Sequence, residues 1–160
     1  LASWLDDNDN PEVRNQLATR YLEMGNEESA REEYQALIET APESPLVLNN
    51  LAWLTRETDP EQALVYIKKA TQKAPDSVQI IDTYAMVERA RGNLGAALEL
   101  SEKALSAAPD SPDLRYTRAL ILVDAGRADE AVTILESLLA GPAFAQQDAA
   151  RGLLNRLAAR

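Results

Sequence analysis

The sequence predicts an all-α fold, a solenoid of about four helix-turn-helix repeats with a closing helix at its C-terminal end. Three observations predict it. Breakers and small residues recur together: Pro42, Pro75 and Pro109 stand 33 and then 34 residues apart, and Ala30, Ala63 and Ala97 each lie 12 residues before one of them. A second small-residue series, Ala18, Ala52, Ala85 and Ala119, repeats at 34, 33 and 34. Finally, the composition is 46% hydrophobic but only 5% aromatic and is rich in Ala, Leu and Glu, which favours helix. Eight prolines and six glycines are few enough to act as punctuation. Such periodicity is the mark of a repeat architecture.

Taken in order, residues 1–9 read as the last turns of a helix from a preceding repeat. Trp4 and Leu5 are expected to pack on Leu17, with Asn8 where a proline would usually stand. The chain opens on Leu1 without the basic start of a signal peptide, so it reads as an excised segment. Repeat 1, residues 11–44, predicts helices near Pro11–Met24 and Glu27–Ala41. Gly25 allows the positive φ that ends the first helix, and Pro42 ends the second by disfavouring helix in the residue before it. Glu27, Glu28, Arg31, Glu32 and Glu33 form a charged outer face, read as solvated surface.

Repeat 2, residues 45–77, is one residue short and lacks the glycine. Its helices are expected near Pro45–Glu57 and Asp59–Lys73, with Asp59 as N-cap and Pro60 at the first helical position. Repeat 3, residues 78–111, predicts helices near Ser77–Arg91 and Leu94–Ala108, with Tyr84 at a large apolar place and Glu88 where an aromatic is expected. Repeat 4, residues 112–142, predicts Pro112–Ala125 and Ala128–Ala140. Here Arg118 stands where Leu is usual, and is expected to lie over the next helix with its head in water. After Gly141-Pro142, residues 143–160 form the closing amphipathic helix, its apolar face made by Phe144, Ala149, Leu153, Leu154 and Leu157. The whole, 1–160, reads as a single domain.

This pattern resembles the tetratricopeptide repeat (TPR) family. Leu17, Ala18, Tyr21, Gly25, Ala30, Tyr34 and Pro42 fill the signature places in the best repeat. The resemblance implies a right-handed superhelix whose inner groove is lined by the first helix of each repeat, and a non-enzymatic role in holding a protein partner. A closer likeness involves the run Leu48-Asn49-Asn50-Leu51-Ala52-Trp53-Leu54, Pro75-Asp76 and Ser111-Pro112-Asp113-Leu114-Arg115-Tyr116. These resemble the C-terminal repeats of the TPR lipoproteins of bacterial PEP-CTERM/exosortase systems, which accompany exopolysaccharide production. That likeness implies a periplasmic or envelope setting, the cytoplasm being the alternative.

Chemistry is narrowed by what is missing. With neither histidine nor cysteine, His-based acid–base catalysis, Cys nucleophiles, disulfides and most zinc sites are excluded, and no metal or cofactor is expected. A net charge of −10 argues against nucleic acid and anionic membrane, and no apolar run of about 18 residues exists to enter a bilayer. Catalysis by paired carboxylates, Asp82 with Glu57 or Asp113, has no pocket with a raised pKa to mark it.

Carrying the family's groove positions across selects Asn15 and Thr19 in repeat 1, then Asn49, Asn50, Trp53 and Arg56 in repeat 2. Asp82, Met86 and Arg89 follow in repeat 3, and Tyr116 in repeat 4. Trp53, Met86 and Tyr116 offer apolar contact, Asn49 can pair with an extended peptide backbone, and Arg56 and Arg89 can receive carboxylates. Each has a plainer reading. Trp53 can bridge neighbouring helices, Met86 can fill a gap, and the arginines can pair with Glu57 and Glu88 or stay solvated. The carboxylate clamp of chaperone-binding TPR domains is not met: Asn50 holds one of its places, but Asn15, Gln79 and Thr83 hold the lysine places. The expectation is thus an interaction scaffold gripping a peptide or helix, with self-association through the N-terminal face around Trp4, Leu5 and Leu17 as the alternative.

Overall fold

A computed structural model describes residues 10–159, in which nine helices and no strand are found. The helices are α1 (Pro11–Glu23), α2 (Glu27–Thr40), α3 (Pro45–Thr55), α4 (Pro60–Lys73), α5 (Val78–Ala90), α6 (Leu94–Ala107), α7 (Pro112–Asp124), α8 (Ala128–Leu139) and α9 (Gln147–Ala158). They fall into two compact units, one ending at Pro75 and the other beginning at Asp76.

Local chemistry sets the helix ends. Ser44, Ser77 and Ser111 each accept a hydrogen bond from the backbone N–H three residues on, and Pro11, Pro45, Pro60 and Pro112 sit in the first turn, where a missing N–H costs nothing. Gly25, Gly92 and Gly126 take φ of 72°, 76° and 75°, closing α1, α5 and α7. The residue after each glycine donates back into the preceding turn, Asn26 N to the Tyr21 carbonyl at 2.8 Å, which satisfies a carbonyl the helix leaves open. Ala41, Ala74 and Ala108, each just before a proline, leave helical geometry with φ between −131° and −144°. In repeat 2 no left-handed residue is needed: α3 stops at Thr55, two residues before the expected end, and Asp59 caps α4 by accepting from Gln62 N at 3.0 Å.

Within the first unit, Ala18 of α1, Ala30, Tyr34 and Leu37 of α2, and Val47, Leu51 and Leu54 of α3 share one buried cluster, with Tyr21, Trp53 and Tyr66 packed against it. Among the described residues of the second unit three clusters are found. Ala85, Ala97 and Ile121 join α5, α6 and α7, as do Ile81, Ala104 and Leu114. Ala119, Leu122, Ala131, Leu135, Ala150 and Leu153 join α7 and α8 to the closing helix. That helix starts four residues later than expected; Phe144 packs before it, and Ala150 rather than the exposed Ala149 faces the core.

Two substitutions in the repeat pattern are resolved by hydrogen bonding. Glu88, buried in an aromatic's place, is held by Arg91 at 2.7 Å and Asn93 at 3.1 Å, so its charge is both paired and hydrogen-bonded. Arg118 does not keep its head in water over the next helix. It turns back to α6, where Nη1 donates to Ser101 Oγ at 3.0 Å and the Leu98 carbonyl at 3.3 Å, and Nη2 meets Glu102 at 3.0 Å. Trp4 and Leu5 lie outside the described residues, and Leu17 is half-buried.

Because Ala52 is fully buried where paired helices approach, Ala52→Leu is expected to cost about 1–3 kcal/mol by overpacking, read as a lower denaturation midpoint. An unchanged midpoint would mean that Ala52 is not at a helix–helix contact.

Candidate functional site

In a helix, residues three and four apart share a face. The face of α1 and α3 turned away from their paired helices carries the first unit's selected residues. Asn49 is only 4% exposed, so it is walled in rather than lining an open surface as expected. Its Nδ2 makes a long contact of 3.5 Å with Asn50 Oδ1, while its own Oδ1 is closed off from solvent and accepts nothing. Asn15, at the same repeat place on α1, has a buried and unpartnered Oδ1 too. Buried polar atoms are nearly always hydrogen-bonded, and an unsatisfied one costs about 1–3 kcal/mol. The Thr19 hydroxyl is engaged within α1, donating to the Asn15 carbonyl at 2.9 Å.

Trp53 is half-buried against the core of the first unit, which favours its plainer, bridging reading. The Arg56 guanidinium stacks over the indole, 3.6 Å from the ring centroid, and donates to the Trp53 carbonyl. With Nε also 3.5 Å from Glu57 Oε1, Arg56 is bound up inside the protein. It is not the waiting carboxylate receptor of the sequence reading.

In the second unit α5 and α7 pack side by side against α6. Met86 is 5% exposed, so it belongs to the core rather than to an open face, in line with its plainer reading. Arg89 is likewise engaged, its Nε 2.6 Å from Asp124 Oδ2 on α7 rather than near Glu88. Tyr116 is half-buried beside the α7–α9 cluster. Asp82, at the same repeat place as Asn15 and Asn49, has a third buried and unpartnered Oδ1. The neighbouring Thr117 hydroxyl favours its charged form, and the like charge of Asp113 disfavours it. Burial pushes the Asp82 carboxyl up to about 6, with Asp113 adding to the rise and Thr117 opposing it. A raised pKa is therefore present where the sequence marked none.

Sequence reasoning passed over Thr117, whose hydroxyl acts on the Asp82 carboxyl. The signal was the repeat offset itself: a residue one repeat and one position beyond Asp82's place lies on the neighbouring first helix. The same offset pairs Arg89 with Asp124.

Residues 15–78 and 88–157 each match a tetratricopeptide repeat family model. The chain belongs to the TPR family. TPR proteins are in general non-catalytic scaffolds for protein partners. Solved structures agree on the fold. A thermophilic TPR protein of Thermus thermophilus superimposes with a TM-score of 0.78 at 20% identity, over 92% of this chain and 81% of that one. A TPR protein of Parabacteroides merdae gives 0.84 at 21% identity, over 98% of this chain and 61% of that one. PilF of Pseudomonas aeruginosa gives 0.71 at 19% identity, over 92% and 67%. No curated protein matches the sequence. No helix among the described residues is long and apolar enough to cross a membrane.

The raised Asp82 value has a stability consequence of definite sign. The folded carboxyl holds its proton more tightly than the unfolded one, so the cost of its charge is present above about pH 6 and fades as pH falls towards 4. Asp82→Asn is therefore expected to be more stable than the parent at pH 7.5, by up to about 3 kcal/mol, with the gap closing near pH 4. Urea midpoints at the two pH values measure it; a gap that stays constant with pH would show that Asp82 is not the titrating group.

Proposed function

We propose that the protein is an interaction module that holds an extended segment of a partner protein on the faces of its first helices, the concave side of a TPR superhelix. One observation carries this. Asn15 and Asn49, on successive first helices of the first unit, each hold a water-excluded oxygen that no group of the protein hydrogen-bonds. Asn is a mediocre helix former, and neither residue caps a helix, so local structure does not account for them. Each amide would have to turn outward to meet the backbone N–H of a strand-like partner, the donor its oxygen lacks within the protein.

The biological setting extends the reading. The Leu48–Leu54 and Ser111–Tyr116 runs support a part in a larger bacterial envelope protein, serving exopolysaccharide assembly or surface-protein sorting.

The double variant Asn15→Leu/Asn49→Leu tests the site without wrecking the fold. Removing two orphaned acceptors is expected to leave stability unchanged or raised by about 1 kcal/mol per site, while abolishing partner capture. Pull-downs from separate envelope and cytosolic fractions, with circular dichroism on both proteins, read site and compartment together. Partner retained by the double variant would move the site off these helices, and capture from the cytosolic fraction alone would remove the envelope setting.

A further inference from the structure

We infer that the cavity between the α2–α3 turn and the last turns of α4, in the first unit, receives an aspartate or glutamate side chain from an acidic segment of a partner protein. Pro42, Glu43, Leu48, Lys69, Gln72 and Lys73 line it, and its volume is about 350 Å³. The lysines belong to the second helix of their repeat, so the site is separate from the first-helix faces and does not rest on their reading.

Charge complementarity argues for the occupant. Acids outnumber bases 26 to 16 along the chain, yet in this cavity two lysines face one acid. The repeat frame does not ask for them. At the place of Lys69 the other repeats carry Ala36, Lys103 and Ser137, and at the place of Lys73 they carry Thr40, Ala107 and Gly141, so none repeats the pair. A helix C-terminus favours a cation in its last turn, which accounts for Lys73 but not for Lys69 a turn earlier. No acid stands three or four residues from Lys69 on α4. Its charged neighbour at that spacing is Lys73, and two like charges so placed repel.

The chain itself shows how the cavity holds a carboxylate. Glu43, in the turn after Pro42, sets its Oε2 2.7 Å from Lys73 Nζ, across 30 residues of sequence. Both side chains stand well out in water, 75% and 42% exposed, so this pair is weak and a second carboxylate can displace it. Asp76 and Asp110 keep the acid of this turn although Ala107 and Gly141 stand where the lysine would be, so the acid belongs to the repeat and the lysines to the site. Lys69 makes no ion pair among the described residues, and the Gln72 amide beside it adds a neutral donor. Pro42 and Leu48 offer apolar surface to the methylenes of an incoming side chain. Glu43 is thus an internal competitor that a partner's acid replaces on Lys73, while Lys69 supplies the second, charge-assisted contact.

Calorimetric titration of the whole chain at about 0.15 M salt, with blocked peptides alternating Ala with Glu, Gln or Lys, tests the assignment. The Glu peptide is expected to bind at least about tenfold tighter than the Gln peptide, and the Lys peptide not at all. Lys69→Gln should remove that preference. Lys68→Gln, the same change of charge on α4 but outside the cavity, should cost no more than about twofold. Glu43→Gln, by clearing Lys73, should tighten the Glu peptide about threefold or more. All three positions are exposed, so the fold is not at stake. No binding of the Glu peptide, equal loss from the two lysine variants, an affinity that Glu43→Gln leaves unchanged or lowers, or displacement of the Glu peptide by an equal concentration of inorganic phosphate each overturns the inference. So does concentration-dependent sedimentation that Lys69→Gln abolishes, which would make the occupant a second copy of this chain. None of these variants touches Asn15 or Asn49. Failure here leaves the first-helix reading standing, and failure of the asparagine test leaves this site standing.

Discussion

The structure depends on close approach within each helix pair. Ala18 with Ala30, Ala52 with Ala63, Ala85 with Ala97, and Ala119 with Ala131 occupy matching places, and all eight are fully buried. Dispersion falls off over fractions of an ångström, so helices held apart by a larger side chain would forfeit contacts along their whole length. Small residues at the crossing let Tyr34, Ile67 and Leu135 fill the space farther along, each almost wholly inaccessible to solvent. Turn lengths, glycines and prolines follow from the need to bring those alanines into register.

Scaffold features were legible in the sequence because they recur. Alanines, glycines and prolines appear at one-repeat intervals, so each position was supported by its counterparts, and every helix expected among the described residues is present within a few residues. The Asp59 cap was read from the sequence, whereas the matching caps of Ser44, Ser77 and Ser111 were passed over.

The candidate face was harder to read because its residues differ between repeats and their state depends on neighbours from elsewhere in the chain. Position alone put Met86 and Asn49 on the surface, yet surrounding side chains bury both. Position left Arg56 and Arg89 either as carboxylate receptors or as partners of Glu57 and Glu88, of which only the Arg56–Glu57 contact is found. Arg56 lies on Trp53 and Arg89 reaches Asp124, the second being a pairing across 35 residues of chain. What persists at one repeat place is a polar oxygen with no donor, in Asn15, Asn49 and Asp82. A protein that keeps three such atoms in successive repeats accepts a stability cost of about 1–3 kcal/mol at each.

Arg118 alters how the second unit comes apart. In a stacked array, stability divides into what each repeat supplies alone and what it gains from its neighbour. A leucine at this place would add to the interior of its own repeat. The arginine instead directs its reach to the Leu98 carbonyl, Ser101 and Glu102 of the repeat before. Intrinsic stability is thereby exchanged for coupling, and a fraying event that starts at α8 or α9 meets a hydrogen-bonded tie at α7 before it can spread. The tie couples α7 to α6, so fraying of the closing helix does not by itself release the rest of the unit.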